Sequence, residues 1–450
     1  MTRAILALAW CALASTAAAQ TRPSPTAVRP NVVLILMDDL GYGDLGSYGA
    51  PDVKTPSIDR LAREGVRLTD AYANGAVCTP TRAALISGRY QQRVSLERVL
   101  TTSPADRQLG LPVTGTSLPA LLKASGYATG LIGKWHLGFK REFGPNAHGF
   151  DEFYGFLSGA HDYYTGSADT GTSGLYEDTT EVQPNGYLTD EITRRSVGFI
   201  TRHAAAPFFL EVAYNAVHWP FEPPDRPPSD TERRNPRRML PQMPDDSVHA
   251  TRADYVRMLE RADQGVGEIL AALDRLGLAG NTLVIFTDDN GGEWLSRNAP
   301  LFHRKGTLWE GGIRVPLILR WPGRLPAGKT SAQVAITMDV TASILAATAT
   351  TLPQGYQPDG IEILSILRGG VPLRERTLFW RFASPGRQQH AVRSGRWKLL
   401  VDGTQLLLFD LATDPGEHTD LAAQHTDLVI KLKGLIAGWE QDVGPPASGQ

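Results

Sequence analysis

Cysteine is nearly absent from this chain: its 450 residues contain two, Cys11 and Cys78. Residues 1–19 carry Arg3, an apolar run from Ala4 to Leu13, and the ending Ala17-Ala18-Ala19. A basic start, a short apolar segment and an Ala-x-Ala end form the pattern of a cleaved secretory signal, with the cut expected before Gln20. Loss of that segment removes Cys11, so no intramolecular disulfide is possible and an exported chain must be held together by its core. With 42% hydrophobic residues, the sequence has the apolar content for one. The leader run is too short for a stable membrane span, so no membrane insertion is expected after cleavage. A surplus of one charge is lacking too. Lys and Arg number 45 against 47 Asp and Glu, interspersed, with a formal net charge of −2. That argues against a nucleic-acid partner or a charged membrane surface. Internal repeats and long low-complexity tracts are missing, and residues 20–30 read as a Pro-rich linker.

What is present is an alternation of strands and helices. Asn31–Met37 is a continuous apolar run, as expected of a strand buried on both faces of a parallel sheet, and it ends in Asp38-Asp39 and a Gly-rich turn. Residues 281–287 repeat the design and end in Asp288-Asp289-Asn290-Gly291-Gly292. Further strands are expected near Arg67, at 127–133 and at 207–214. Helices are expected at 57–64, 116–125, 190–201 and 253–276, the last with Val256, Leu259, Val266, Ile269, Leu270 and Leu273 on one face. This order predicts an α/β fold with a large, mostly parallel sheet flanked by helices on both faces. After a Gly-Gly-Val-Pro break the pattern changes to short strands at 377–382, 390–393, 397–402 and 405–410, then a helix at 421–440. A small C-terminal α+β subdomain with an antiparallel sheet is expected over 371–450, and the main domain over 31–370.

In open α/β sheets the functional site lies beyond the carboxyl ends of the strands. Two acid-tipped strands can therefore bring their carboxylates together. Clustered carboxylates repel unless a cation joins them, and an all-oxygen set selects a hard ion such as Ca²⁺ or Mg²⁺. For either pair alone, a solvated loop or a helix cap is an equal reading. The same rule places Lys134 and His136 (G-K-W-H-L-G), His218 (A-V-H-W-P) and Lys305 (R-K-G-T-L-W-E-G-G) at the site end, each on a segment that follows a strand or the second acidic end.

Cys78-Thr79-Pro80-Thr81-Arg82, followed by Ser87-Gly88-Arg89, holds the remaining thiol. A lone Cys is usually a buried packing residue. Here the spacing resembles the sulfatase signature C-x-P-x-R, in which the cysteine is oxidised to Cα-formylglycine. Together with the acid-tipped strands and the basic segments, the chain resembles the formylglycine-dependent (type I) sulfatases of the alkaline phosphatase superfamily over nearly its whole mature length, in particular arylsulfatase B-like and bacterial carbohydrate sulfatases. The resemblance implies one divalent cation, Ca²⁺ taken ahead of Mg²⁺, held by Asp38, Asp39, Asp289, Asn290 and the modified Cys78. Asp288 precedes the matching pair and is not included. It further implies that Cys78 becomes the nucleophile, assisted by a base (Asp289 is the candidate), and that Arg82 stabilises its hydrate. Lys134, His136, His218 and Lys305 would surround the sulfate, with His136 taking a proton to release it and His218 donating one to the leaving alcohol.

The implied partners are a sulfated saccharide or aryl sulfate and a formylglycine-generating maturation enzyme; the implied location is periplasmic or secreted. A related phosphonate or phosphate ester hydrolase with the same nucleophile, and a silent sugar-binding relative, stay open. Residues 150–164 resemble the matching stretch of arylsulfatase B-like enzymes; Phe150, Phe153 and Phe156 could face a sugar or lie in the core. The basic stretch 226–238 reads as a solvated loop that could meet a polyanion. Residues 408–417 (L-F-D-L-A-T-D-P-G-E) resemble a segment near the C-terminus of bacterial sulfatases and are expected to be structural, with no catalytic role.

Overall fold

The computed structural model describes residues 29–164, 174–227, 250–384 and 386–446. The expected leader, nearly all of the Pro-rich linker and most of the basic stretch at 226–238 lie outside the described residues. In chain order the strands are β1 (Asn31–Met37), β2 (Val66–Leu68), β3 (Ala71–Tyr72), β4 (Ala128–Lys134) and β5 (Glu152–Phe156). They continue with β6 (Leu175–Glu177), β7 (Thr180–Val182), β8 (Phe208–Ala213), β9 (Thr282–Asp288) and β10 (Leu317–Arg320). Next come β11 (Lys329–Ser331) and β12 (Ala335–Ile336). The last four are β13 (Thr377–Ser384), β14 (Arg387–Ser394), β15 (Trp397–Asp402) and β16 (Gln405–Asp410).

Ten strands form one sheet in the order β11-β2-β10-β9-β1-β8-β4-β5-β6-β7. The five central strands, β9-β1-β8-β4-β5, are mutually parallel, and the apolar runs of β1 and β9 are buried along their whole length, in keeping with that pairing. Antiparallel pairs lie towards the edges, where β10 runs against β9 and β2, and β6 against β5 and β7, so the whole sheet is mixed. Helices cover both faces. Leu34, Leu131 and Ile285 pack with Leu85, Leu118 and Leu122 on one side, and Val33, Ile35 and Phe286 with Ile192, Leu259 and Leu270 on the other. The helix Arg252–Arg275 starts at a reciprocal cap in which Thr251 and Asp254 satisfy each other's backbone amides. It buries Leu259, Val266, Ile269, Leu270 and Leu273 but leaves Val256 only partly covered.

β13 to β16 make a separate four-stranded antiparallel meander. One face, through Leu378, Trp380, Ala391 and Leu400, packs on Tyr72, Ile313 and Ile336 of the main body. The other face, through Val392, Leu399 and Leu408, takes the helix Thr426–Val443. That helix begins later than its apolar pattern predicts. Asp420 accepts hydrogen bonds from the amides of Leu408 and Ala422, pinning the preceding residues as a loop against β16.

Candidate active site

The site forms where β1, β4, β8 and β9 end, as their parallel order requires. Cys78 is the first residue of the helix Cys78–Ser87 and is 2% exposed. Its Sγ lies 3.7 Å from Asp38 Oδ1. Burial pushes the thiol up from its ordinary range, and the nearby Asp289 adds to this. One helical turn on, Arg82 donates from Nε to Asp289 Oδ2 at 2.8 Å and from Nη1 to the Lys134 carbonyl at 3.0 Å. The two ends of the C-T-P-T-R motif thereby touch both acid-tipped strands.

Lys134, the last residue of β4, donates to Asp38 Oδ2 at 2.7 Å with both side chains fully buried. Lys305 donates to Asp39 Oδ2 at 2.7 Å and stands 3.6 Å from Glu293. Asn290 Nδ2 donates to Asp39 Oδ1 at 2.7 Å. Asp39 itself sits at φ 62°, a left-handed conformation that an Asp tolerates better than most residues. Burial pushes the Asp38 carboxyl up to about 7, with Lys134 opposing and Asp289 and Asp39 reinforcing. Against the same burial, Lys305 and His218 hold Asp39 below the usual carboxylate range.

Two histidines complete the cluster in opposite proton arrangements. His218 Nδ1 lies 2.6 Å from the Trp219 carbonyl; a carbonyl only accepts, so Nδ1 carries the proton and Nε2 faces Asp39 at 3.6 Å. His136 Nε2 lies 2.9 Å from the Leu100 carbonyl and must be the donor there. Its Nδ1 is left buried with no protein partner. Burial, with Lys134 for His136 and Lys305 for His218, lowers both well below the usual imidazole value. Gly159 stacks on the His136 ring, where a Cβ would come within 2.5 Å of Cε1.

The donors fit a hard cation. Oxygens Asp289 Oδ1 and Asn290 Oδ1 are buried without a hydrogen-bond partner. One ligand atom each from Asp38, Asp39, Cys78 and His218 falls within 4.8 Å of the others. Buried, crowded oxygens, two of them with unused lone pairs, match what Ca²⁺ or Mg²⁺ requires. Asp288 also has both oxygens buried and unpartnered. Alternation along β9 puts it on the face of Val284 and Phe286, away from Ile285, and burial together with Asp289 raises its carboxyl well above the usual range.

Nine of the ten residues singled out in the sequence are linked by direct side-chain contacts or as chain neighbours, and the tenth, His136, lines the cavity above them while bonding outside the set, to Leu100. That cavity, of about 350 Å³, is lined by Cys78, His136, His218 and Lys305. Its outer wall adds Thr101, Thr102, Gly159, Ala160, Trp219 and Glu293, none of which the sequence marked as site residues. Glu293 carries a signal in the sequence, three positions beyond Asn290 on the same loop, whereas Thr101 and Thr102 sit on a connection with no motif. Phe150, Phe153 and Phe156 are buried, so they pack the core and do not face a sugar.

The family model described as "Sulfatase" matches residues 30–350, and that described as "N-sulphoglucosamine sulphohydrolase, C-terminal" matches 300–440. Human N-acetylgalactosamine-6-sulfatase is 31% identical over 475 residues, covering 92% of this chain and 86% of its own. Bovine arylsulfatase A is 33% identical over 467 residues, with 92% and 86% covered. The crystal structure of Ps i-CgsB in complex with k-i-k-neocarrahexaose superimposes with a TM-score of 0.82 at 31% identity, covering 93% of this chain and 94% of that one.

Proposed function

The chain belongs to the sulfatase family, and from that premise we propose an exported enzyme that hydrolyses sulfate monoesters on a saccharide, with a formylglycine made from Cys78 as its nucleophile and one divalent cation as cofactor. The observation that carries this reading is the convergence on Cys78 of Asp38, at 3.7 Å, with the buried Lys134, the partly exposed Lys305 and the unpartnered oxygens of Asp289 and Asn290. No helix among the described residues is long and apolar enough to cross a membrane.

Asp38, Asp39, Asp289, Asn290 and the modified side chain at position 78 would hold the cation, which when bound neutralises charge on the sulfate and favours the ionised nucleophile. A hydrated aldehyde offers one hydroxyl to attack sulfur and a second whose deprotonation releases the sulfate, a route closed to serine. Lys134 and Lys305 flank the nucleophile and offset the charge of the ester. Arg82, fixed by Asp289 and the Lys134 carbonyl, holds the hydrate. His136 presents the bare Nδ1 of a neutral ring, suited to take the second hydroxyl's proton. His218, with Nδ1 committed to a backbone carbonyl, leaves Nε2 as the atom that would pass a proton to the leaving alcohol once the ring is protonated, a state that burial and Lys305 oppose and Asp39 favours.

A saccharide is favoured by the outer wall. Trp219 is half-buried and tilted against the His218 ring at 4.9 Å, giving an apolar face beside the polar side chains of Glu293, Thr101 and Thr102. The oligosaccharide complex of the structural relative supports the same class. Steady-state rates on the sulfate and phosphate esters of one phenol test the proposal. Faster sulfate turnover is expected; faster phosphate turnover would move the chain to the phosphate or phosphonate ester hydrolases.

A further inference from the structure

Beneath the Lys305 loop lies a buried ion-pair network that the catalytic cluster does not use. Lys398, on β15, is 0% exposed, with Nζ 2.9 Å from Glu310 Oε1 and 2.8 Å from Glu417 Oε1. Glu310 Oε2 accepts from the Tyr72 hydroxyl at 2.7 Å and from Arg314 at 3.2 Å. Glu417 closes the 408–417 segment, whose sequence reads as purely structural. Its Oε2 accepts the Glu310 amide at 2.6 Å. Gln389, on β14, accepts the Leu308 amide at 2.8 Å through Oε1.

The opposite side of the same loop is tied to the catalytic segments. Gly306 N donates to the Ala76 carbonyl, two residues before Cys78, at 2.8 Å, and Lys305 N donates to the Gly292 carbonyl at 3.2 Å. The loop is therefore stitched to the nucleophile's own strand-to-helix turn on one side and to the C-terminal sheet on the other. A buried lysine between two carboxylates is a poor way to gain stability, since apolar residues of equal volume commonly do as well. What it supplies is geometry: the Glu417 carboxylate that pairs with Lys398 also accepts the Glu310 amide, so the pair ties the loop backbone to β15.

We propose that the C-terminal sheet sets the position of Lys305, with Glu417, Lys398 and Gln389 acting as positioning residues for the sulfate pocket. They reach no reacting atom. They act through the amides of Leu308 and Glu310 and so decide where the Lys305 ammonium stands relative to Asp39 and the nucleophile. The inference rests on the reading of Lys305 as a sulfate-holding cation.

The test uses the full-length protein as Glu417→Ala, Glu417→Gln and Gln389→Ala. Backbone hydrogen exchange is read over 301–313 and over 78–87, alongside inhibition by inorganic sulfate and steady-state kinetics on an aryl sulfate. For Glu417→Ala, exchange at 301–313 should quicken by about tenfold or more with 78–87 unchanged, and the sulfate inhibition constant and KM should rise about tenfold while kcat falls less. Glu417→Gln, which keeps an acceptor for the Glu310 amide, should recover most of this, and Gln389→Ala should show the same pattern more weakly. If Glu417→Ala does not fold, Gln389→Ala decides alone. Faster exchange confined to 387–417, or a loosened loop with unchanged sulfate affinity, overturns the proposal. Should the wild type neither bind sulfate nor turn over the ester, the enzymatic reading fails, while the exchange result still decides whether the sheet holds the loop.

Discussion

Arg82 Nε binds Asp289 Oδ2 at 2.8 Å, and this one contact assigns the two oxygens of Asp289 different work. Oδ2 is spent on the guanidinium, and Oδ1 stays buried and bare beside Asn290 Oδ1. The arginine of the cysteine motif thus orients a carboxylate proposed to hold the cation. Arg82→Lys, which keeps charge but loses the fork, should lower kcat/KM by roughly a hundredfold and weaken cation binding as well. Calorimetric Ca²⁺ titration of the variant checks the second effect independently of turnover.

Cation binding should stabilise the fold. At a free concentration about a hundred times the dissociation constant, the gain is about 2.7 kcal/mol. A thermal melt with added Ca²⁺, compared with chelator-treated protein, should show an upward shift. Asp39→Asn should abolish most of the shift, because Asp39 also anchors Asn290 and Lys305.

Lys134 and Asp38 form a pair buried on both sides, and removing one partner leaves an uncompensated charge. Lys134→Met should cost about 3–5 kcal/mol of unfolding free energy in chelated protein. Part of that loss should return on adding Ca²⁺, since the cation replaces the missing positive charge at Asp38. Denaturant melts with and without Ca²⁺ measure both.

Away from the site, His148 packs against Trp135 with ring centroids 5.3 Å apart. Burial lowers its imidazole from 6.5 to about 4. The folded state therefore holds this ring neutral where the unfolded chain protonates it. Its stabilising contribution is complete above pH 6.5 and is lost as pH falls towards 4, by roughly 3 kcal/mol at most. Urea melts across that range should show His148→Leu with a shallower acid slope than wild type.

If the proposed function holds, the outer wall should separate sugar binding from sulfate binding. Trp219→Ala should raise KM for a sulfated saccharide about fivefold while weakening inhibition by inorganic sulfate much less, because the ring offers an apolar face and no charge, and reaches the sulfate-holding set only through His218.

Much of this was legible in the chain. β1 and β9 show as unbroken apolar runs capped by acids, and parallel pairing of Asn31–Met37 with Thr282–Asp288 makes the joining of those acids a consequence of register. The ten candidate residues could be picked out because each follows a strand end or a spaced motif, and the fold brings them to one end of the sheet. Other features depend on contacts that no local pattern encodes. The antiparallel edges at β10 and β6 follow from how the chain returns to the sheet, not from the composition of those short strands. Phe150, Phe153 and Phe156 recur at a spacing that suits core or ligand equally, and only packing decides for core. Glu417 looks like the end of an Asp-Pro-Gly turn, yet its carboxylate reaches Glu310 far upstream and Lys398 on β15.

The central claim is that Cys78 is a precursor. Mass spectrometry of the tryptic peptide containing Cys78, from protein made in its native host, tests it most directly. The account predicts the aldehyde or its hydrate at that position and loss of sulfate ester turnover in Cys78→Ala. An unmodified thiol in protein that turns over sulfate esters would contradict it.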